Sequence, residues 1–214
     1  MKNEAEKVRK LYDDAAANYE ETVQRTNYIG PDWLLKNIPV SIQTPNLKIL
    51  DLGCGPGNNV ANLRKVNPTL VATGVDISPQ MIEAAQQDGN YENLVCQSLD
   101  EGMAFCADQS YDLIIALGCL EFVNDIDFCM SEVARVCKPE GYFYSTFQYF
   151  EEGNSAAPRQ MRSGDVLHFA YSTAEVLAKL ADVGFQVLST ETMIGYTGGG
   201  PCPYIFTTAQ KQRI

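Results

Sequence analysis

The chain has 214 residues, 45% of them hydrophobic and 20% charged, with 16 basic against 27 acidic residues and a formal net charge of −11. This length and apolar content suit one domain with an ordinary core and argue against disorder as the main state. The acidic balance, with no Lys/Arg block of five or more, lacks the electrostatic footprint for nucleic-acid backbone or an anionic bilayer.

The opening residues, MKNEAEKVRKLYDD, are too polar for a secretory signal, and no apolar run approaches membrane-spanning length. The cysteines (Cys54, Cys96, Cys106, Cys119, Cys129, Cys137 and Cys202) are odd in number, form no C-x-x-C pair, and several sit inside apolar segments. Buried free thiols in a reducing, cytoplasmic compartment are the expectation. No metal site is expected, since a zinc would have only isolated cysteines and the single His168 to bind.

Residues 3–20 read as a helix with Val8, Leu11, Tyr12 and Ala15 on an apolar stripe and Tyr19 one step further. A short helix at 31–37 follows, with Pro31 in its first turn and Trp33, Leu34 and Leu35 free to pack. From residue 47 strands and helices alternate. Strands are predicted at 47–52, 70–75, 93–97, 111–117 and 141–148, with helices at 58–66, 79–87 and 125–137 between them. Runs such as YDLIIAL carry few charges, as parallel strands covered on both faces do. The spacing predicts right-handed crossovers and an open, doubly wound α/β sheet. Residues 150–170 show no convincing period; a helix at 172–182 then begins at Ser172 with Glu175 at capping-box spacing. Strands at 185–193 and 203–209 finish the chain.

The stretch LKILDLGCGPGNNVANLRKV, residues 47–66, puts a glycine-rich turn between a strand and a helix, bringing backbone N–H groups close to a ligand. Asp51 adds a carboxylate at the strand's end. In the G-x-G-x-x-G register from Gly53 the third glycine is replaced by Asn58, so the dinucleotide fingerprint is absent, as is a phosphate-gripping Gly-Lys-Ser/Thr loop. Asp76 ends the next strand, where a carboxylate meets a ribose diol; capping the following helix is its alternative role. Asp100 and the loop after YDLIIAL add signals at the same edge, and together they describe a nucleoside site with little demand for phosphate.

Taken together, ILDLGCGPG, GVDIS, SLD, YDLIIALGCLEFVND and MSEVARVCKPEGYFYST closely resemble the class I S-adenosylmethionine-dependent methyltransferases, over roughly residues 10–210. The resemblance implies a Rossmann-like, doubly wound seven-stranded sheet of order 3-2-1-4-5-7-6 with strand 7 antiparallel, plus an N-terminal helical cover. Residues 1–40 would form the cap, and 41–214 the S-adenosyl-L-methionine-binding domain with a lid at 150–170. On the resemblance Asp51, Gly53, Cys54 and Gly55 border the amino-acid part of the cofactor, and Asp76 holds the ribose hydroxyls. Ile77 and Met81 lie against adenine, Leu99 and Asp100 complete that site, and Ala116, Leu117 and Cys119 line the sulfonium region. The chain departs from the commonest small-molecule subgroup at Leu120-Glu121-Phe122, where many relatives have Leu-Glu-His, at Leu99, where Gly is frequent, and at Glu140, which replaces a glycine.

The implied activity is methyl transfer to an O, N or C atom of a small molecule by in-line displacement, which asks the protein for alignment and water exclusion. A base is needed only if the acceptor stays protonated at neutral pH. His168, Tyr12 and Tyr19 are the catalytic candidates, with a structural role for the histidine and packing for the tyrosines as the alternatives. Tyr28, Trp33, Arg159, Arg162 and Tyr196 are the candidates for substrate contact; a solvated face explains the arginines equally well. The expected partner is a small molecule, not nucleic acid or membrane, and the expected state a monomer or homodimer. A non-methylating enzyme using the same cofactor (a cyclase or carboxyl-group transferase) and a non-enzymatic scaffold share these residues.

Overall fold

The computed structural model describes residues 2–151, 160–198 and 200–213. Three helices lead: α1 (Lys2–Ala15), α2 (Tyr19–Thr26) and α3 (Gly30–Asn37). Alternation follows as β1 (Lys48–Leu52), α4 (Asn58–Val66), β2 (Val71–Asp76), α5 (Pro79–Asp88), β3 (Asn93–Cys96) and β4 (Tyr111–Ala116). The chain continues with α6 (Ile126–Val136), β5 (Cys137–Gln148), β6 (Gln160–Ser163), β7 (Val166–Phe169), α7 (Thr173–Asp182), β8 (Phe185–Tyr196) and β9 (Cys202–Lys211).

Seven strands form one sheet in the order β3-β2-β1-β4-β5-β9-β8. The first five run parallel, while β9 pairs antiparallel with both β5 and β8. This is the doubly wound α/β topology the sequence predicts. Alternate side chains of β4 feed opposite faces: Ile114 and Ala116 join Met130, Val133, Val176 and Leu180 of α6 and α7, whereas Leu113 and Ile115 join Leu34, Val60 and Leu63 of α3 and α4. Side-chain caps fix the helix starts. Ser78 accepts from Met81 N, Asp125 from Phe128 N, and Ser172 with Glu175 closes a full capping box.

Four local expectations need correction. The single helix over 3–20 is broken by a 3-10 turn at Ala16–Asn18, where Asn18 leaves helical geometry at φ −129° and ψ 22°. The break lets Tyr12 and Tyr19 reach one cleft from two helices. The helix α6 ends one residue early: Cys137 is already extended (φ −74°, ψ 132°) and opens β5, and Pro139 disfavours helix at Lys138 just beyond it. The 150–170 segment is not aperiodic throughout: β6 and β7 pair as a hairpin, Met161 opposite His168, around a Gly164-Asp165 turn in which Gly164 supplies φ +62°. Residues 152–159 of the expected lid, Arg159 among them, lie outside the described residues. Finally, Trp33 is core, 6% exposed, with its ring 5.8 Å from that of Tyr144 and 5.1 Å from that of Phe206; burial against β5 and β9 removes it from substrate contact.

The N-terminal helix lies across the carboxyl edge of the sheet. Asp13 accepts from Ser78 Oγ at 2.6 Å and sits by the first turn of α5, whose exposed N–H groups favour a carboxylate. Glu4 meets Arg162 of the β6–β7 hairpin at 3.7 Å, so α1 and the hairpin share one roof. Among the described residues no helix is long and apolar enough to cross a membrane.

Candidate functional site

The strand order reverses between β1 and β4, and the glycine turn leaves β1 there, at the sheet's carboxyl edge. Gly53 (φ +65°) is sterically obligatory: a Cβ on it would stand 2.4 Å from Cys119 Cβ, in the loop after β4. Gly55 N donates to Asp76 Oδ2 and Ser78 N to Asp76 Oδ1, both at 2.9 Å, so the end of β2 and the turn after β1 are held together by one carboxylate. Asp76 is 8% exposed; burial raises its pKa while the Ser78 and Gly55 N–H groups oppose the rise.

Above this turn lies a cleft of roughly 670 Å³, mouth included. Gly53, Gly55, Asp76, Ile77, Leu99, Asp100, Leu117 and Cys119 line it, as expected, together with Gln97, Ser98, Gly118, Phe122 and Val123, which sequence reasoning passed over. Tyr12 and Tyr19 close it from the roof. Four expected contacts lie outside its lining. Asp51 is fully buried, accepts from Tyr91 Oη at 2.8 Å and Asn59 Nδ2 at 3.4 Å, and is pushed up to about 7 by desolvation. Cys54, Met81 and Ala116 are likewise buried packing residues of the loop and its neighbouring elements. Asp100 does line the cleft, yet its carboxylate also accepts from Asn124 N at 2.8 Å and Asp125 N at 3.1 Å, shaping the loop before α6.

These residues fit S-adenosylmethionine. The cleft offers a carboxylate for a diol, apolar Ile77 and Leu99 for a flat base, and a glycine floor on which a side chain would collide. Tyrosine rings and an acidic protein suit a cationic sulfonium.

A second cavity of roughly 1110 Å³, mouth included, opens beside the first and shares Tyr12, Tyr19, Leu117, Gly118 and Phe122 with it. Tyr28, Tyr196, Tyr204, Gln148, Glu121 and His168 complete its polar lining along with Thr22 and Thr26. His168 Nδ1 lies 2.6 Å from Gln148 Oε1. Gln148 Nε2 donates to Cys202 Sγ, which orients the amide so that Oε1 accepts; Nδ1 therefore carries the proton and Nε2 is left as an acceptor. Desolvation lowers the His168 pKa, keeping the ring neutral. Tyr12 packs edge-on to Phe122 at 5.8 Å. Burial raises its hydroxyl pKa well above 10 and that of Tyr19 to about 12, so both are donors rather than bases at neutral pH. Tyr28 presents a buried hydroxyl with no partner at hydrogen-bond geometry among the described residues. Arg162 is turned elsewhere: half-exposed, it donates to Asp165 O and faces Glu4, and it does not line the cavity.

Glu121 was missed. It follows Cys119 in a 3-10 turn (Leu120–Phe122), is 3% exposed, and accepts from Tyr204 Oη at 2.5 Å through Oε1. The available signal was a charge inside the apolar run LIIALGCLEF. Its Tyr204 partner comes from β9, a tertiary contact that local pattern does not reveal.

Comparisons with known proteins agree with this geometry. Residues 50–145 match the family model described as a methyltransferase domain. The demethylmenaquinone methyltransferase of Tropheryma whipplei (strain Twist) is 28% identical over 63% of this chain and 56% of its own length. The chain spans about half the length of the curated relatives it matches. A putative methyltransferase of Haloferax volcanii, solved in complex with a methyltransferase activator, superposes with a TM-score of 0.74 at 20% identity, over 94% of this chain and 98% of that one. The [4+2]-cyclase SpnF superposes at 0.68 and 17% identity, over 85% and 80% of the two chains. Strand order, the glycine turn joined to Asp76 and the family-model match converge: the chain has the fold of the class I S-adenosylmethionine-dependent methyltransferases.

Proposed function

We propose that the protein transfers a methyl group from S-adenosylmethionine to a small-molecule acceptor. The observation that carries this reading is the pair of cavities joined through Tyr12, Tyr19, Leu117, Gly118 and Phe122, one with nucleoside chemistry and one with space for a second molecule. Bound in the first, the cofactor supplies a methyl group on a positively charged sulfur, open to in-line displacement. Asp76 would hold the ribose hydroxyls, Ile77 and Leu99 the adenine faces, and Gly53, Gly55, Leu117 and Cys119 the remainder. Tyr12 and Tyr19 form the wall common to both ligands and exclude water from it. His168 Nε2, Tyr28 and Tyr196 orient the acceptor. In this scheme residues 1–40 act as the cap, with α3 anchoring it in the core, and the site works within a cytoplasmic monomer or homodimer.

Calorimetry with S-adenosylmethionine and S-adenosylhomocysteine tests the donor site: both bind the wild type, and Asp76→Ala weakens each at least tenfold. Binding of neither removes the proposal. Incubation with methyl-labelled cofactor then separates methyl transfer from the second reading, a non-methylating enzyme. That reading is favoured by the fold likeness to a [4+2]-cyclase, and it predicts product without label.

A further inference from the structure

The acceptor chamber holds a carboxyl group with one oxygen that the fold leaves unmatched. Glu121 Oε1 is engaged by Tyr204, but Oε2 is buried with no hydrogen-bond partner among the described residues. An unmatched buried carboxyl oxygen carries an uncompensated desolvation cost, which a ligand bearing a donor offsets. The rest of the lining narrows that ligand. Tyrosine rings and Phe122 offer flat apolar faces, and among the described residues no Lys or Arg lines the cavity. An anionic acceptor would meet a like charge without a counter-ion.

We propose that Glu121 is a catalytic residue that takes the proton from an aromatic acceptor methylated at a hydroxyl or amine, and that the same carboxylate excludes anionic acceptors. The inference rests on the methyl-transfer reading above. As the acceptor's lone pair forms its bond to carbon, the carbon–sulfur bond breaks and its electron pair stays on sulfur. The proton released by the acceptor bonds to Glu121 Oε2, and the resulting carboxylic acid returns it to water after product leaves. Tyr204 is a positioning residue: its hydroxyl engages Oε1 and so holds the carboxyl in the chamber wall.

Burial pushes the Glu121 carboxyl up to about 7, opposed by the Tyr204 hydroxyl and its own backbone N–H, which suits proton transfer near neutrality. The groups facing it do not compete for that charge. Tyr12, Tyr19, Tyr28, Tyr196 and Tyr204 are raised by burial, as are Cys119 and Cys202, and His168 is lowered.

The test uses ligand-observed NMR on the full chain saturated with S-adenosylhomocysteine, with phenol, benzylamine and benzoate as probes of one ring size and three charges. Phenol and benzylamine are expected to bind the wild type and benzoate to be rejected. Benzylamine binding should fall as pH drops below about 7, where Glu121 takes up a proton. Glu121→Gln should weaken benzylamine at least tenfold and admit benzoate, while S-adenosylhomocysteine affinity stays within twofold. Tyr204→Phe, which keeps the ring, should move the pH midpoint upward because the carboxylate loses a donor; His168→Gln should leave it in place. Tyr204→Phe decides the matter by itself if Glu121→Gln fails to fold. Equal weakening of all three probes, preference for benzoate, no binding of phenol or benzylamine, or a midpoint that follows His168 instead would overturn the assignment. Failure of the wild type to bind S-adenosylhomocysteine would instead strike the methyl-transfer reading itself.

Discussion

Gly53→Ala puts a methyl group where the turn after β1 meets the loop after β4, with its Cβ 2.4 Å from Cys119 Cβ. Two costs add. A non-glycine residue at φ +65° costs about 1–2 kcal/mol, and forcing apart two packed segments costs about 1–3 kcal/mol. The sum, about 2–5 kcal/mol, corresponds to a fall in Tm of about 4–20 °C for a chain of this size. The two terms separate by a double-mutant cycle. Cys119→Gly removes the colliding carbon and should recover the steric part, giving a coupling energy of about 1–3 kcal/mol with Gly53→Ala. Cys119→Ala keeps that carbon and should recover nothing. Urea unfolding of the four proteins, with S-adenosylhomocysteine calorimetry alongside, measures both stability and the cleft. Strict additivity with Cys119→Gly would refute the steric account, as would an unperturbed Gly53→Ala.

Desolvation raises the carboxyl pKa of Asp51 and Glu121 to about 7 and also raises that of Asp76. The folded state therefore holds protons that the unfolded chain releases near pH 4. Stability falls as pH climbs from about 4 to about 7 and levels off above; urea midpoints across that range measure the slope, which Asp51→Asn reduces. Trp33→Ala should cost about 3–5 kcal/mol of stability through lost packing on Tyr144 and Phe206. In calorimetry at a temperature where it remains folded, it should bind S-adenosylhomocysteine like the wild type. Arg162→Ala removes a half-exposed pairing with Glu4 and a hydrogen bond to Asp165 O, and its unfolding free energy should stay within about 1 kcal/mol of wild type.

The parallel half of the sheet was legible because buried strands advertise themselves: YDLIIAL and VATGVD carry their apolar runs between turn signals. The cleft above the glycine turn was legible for the same local reason, since Gly53, Gly55 and Asp76 sit within two strand-to-helix turns. What escaped depends on distance along the chain. Trp33 reads as free to pack or to meet substrate until β5 and β9 arrive to bury it, and Asp51 reads as a ligand contact until Tyr91, from the segment before β3, claims its carboxylate. The hairpin at β6–β7 carried a Gly164-Asp165 signal, but its strands are four residues each, too short for a period to emerge. Glu121 stands in the sequence beside Phe122, where many relatives have a histidine, and only Tyr204, 83 residues on, marks it as a buried group.

Tyr12 and Tyr19 contribute to both cavity walls at once. On the proposed reading, a donor that settles these rings would pre-shape the neighbouring chamber, and by thermodynamic reciprocity an acceptor would tighten donor binding by the same factor. Loss of the methyl group, with its positive charge, would then change what those rings face. The wall that α1 and α2 share would thus couple the two sites to each other.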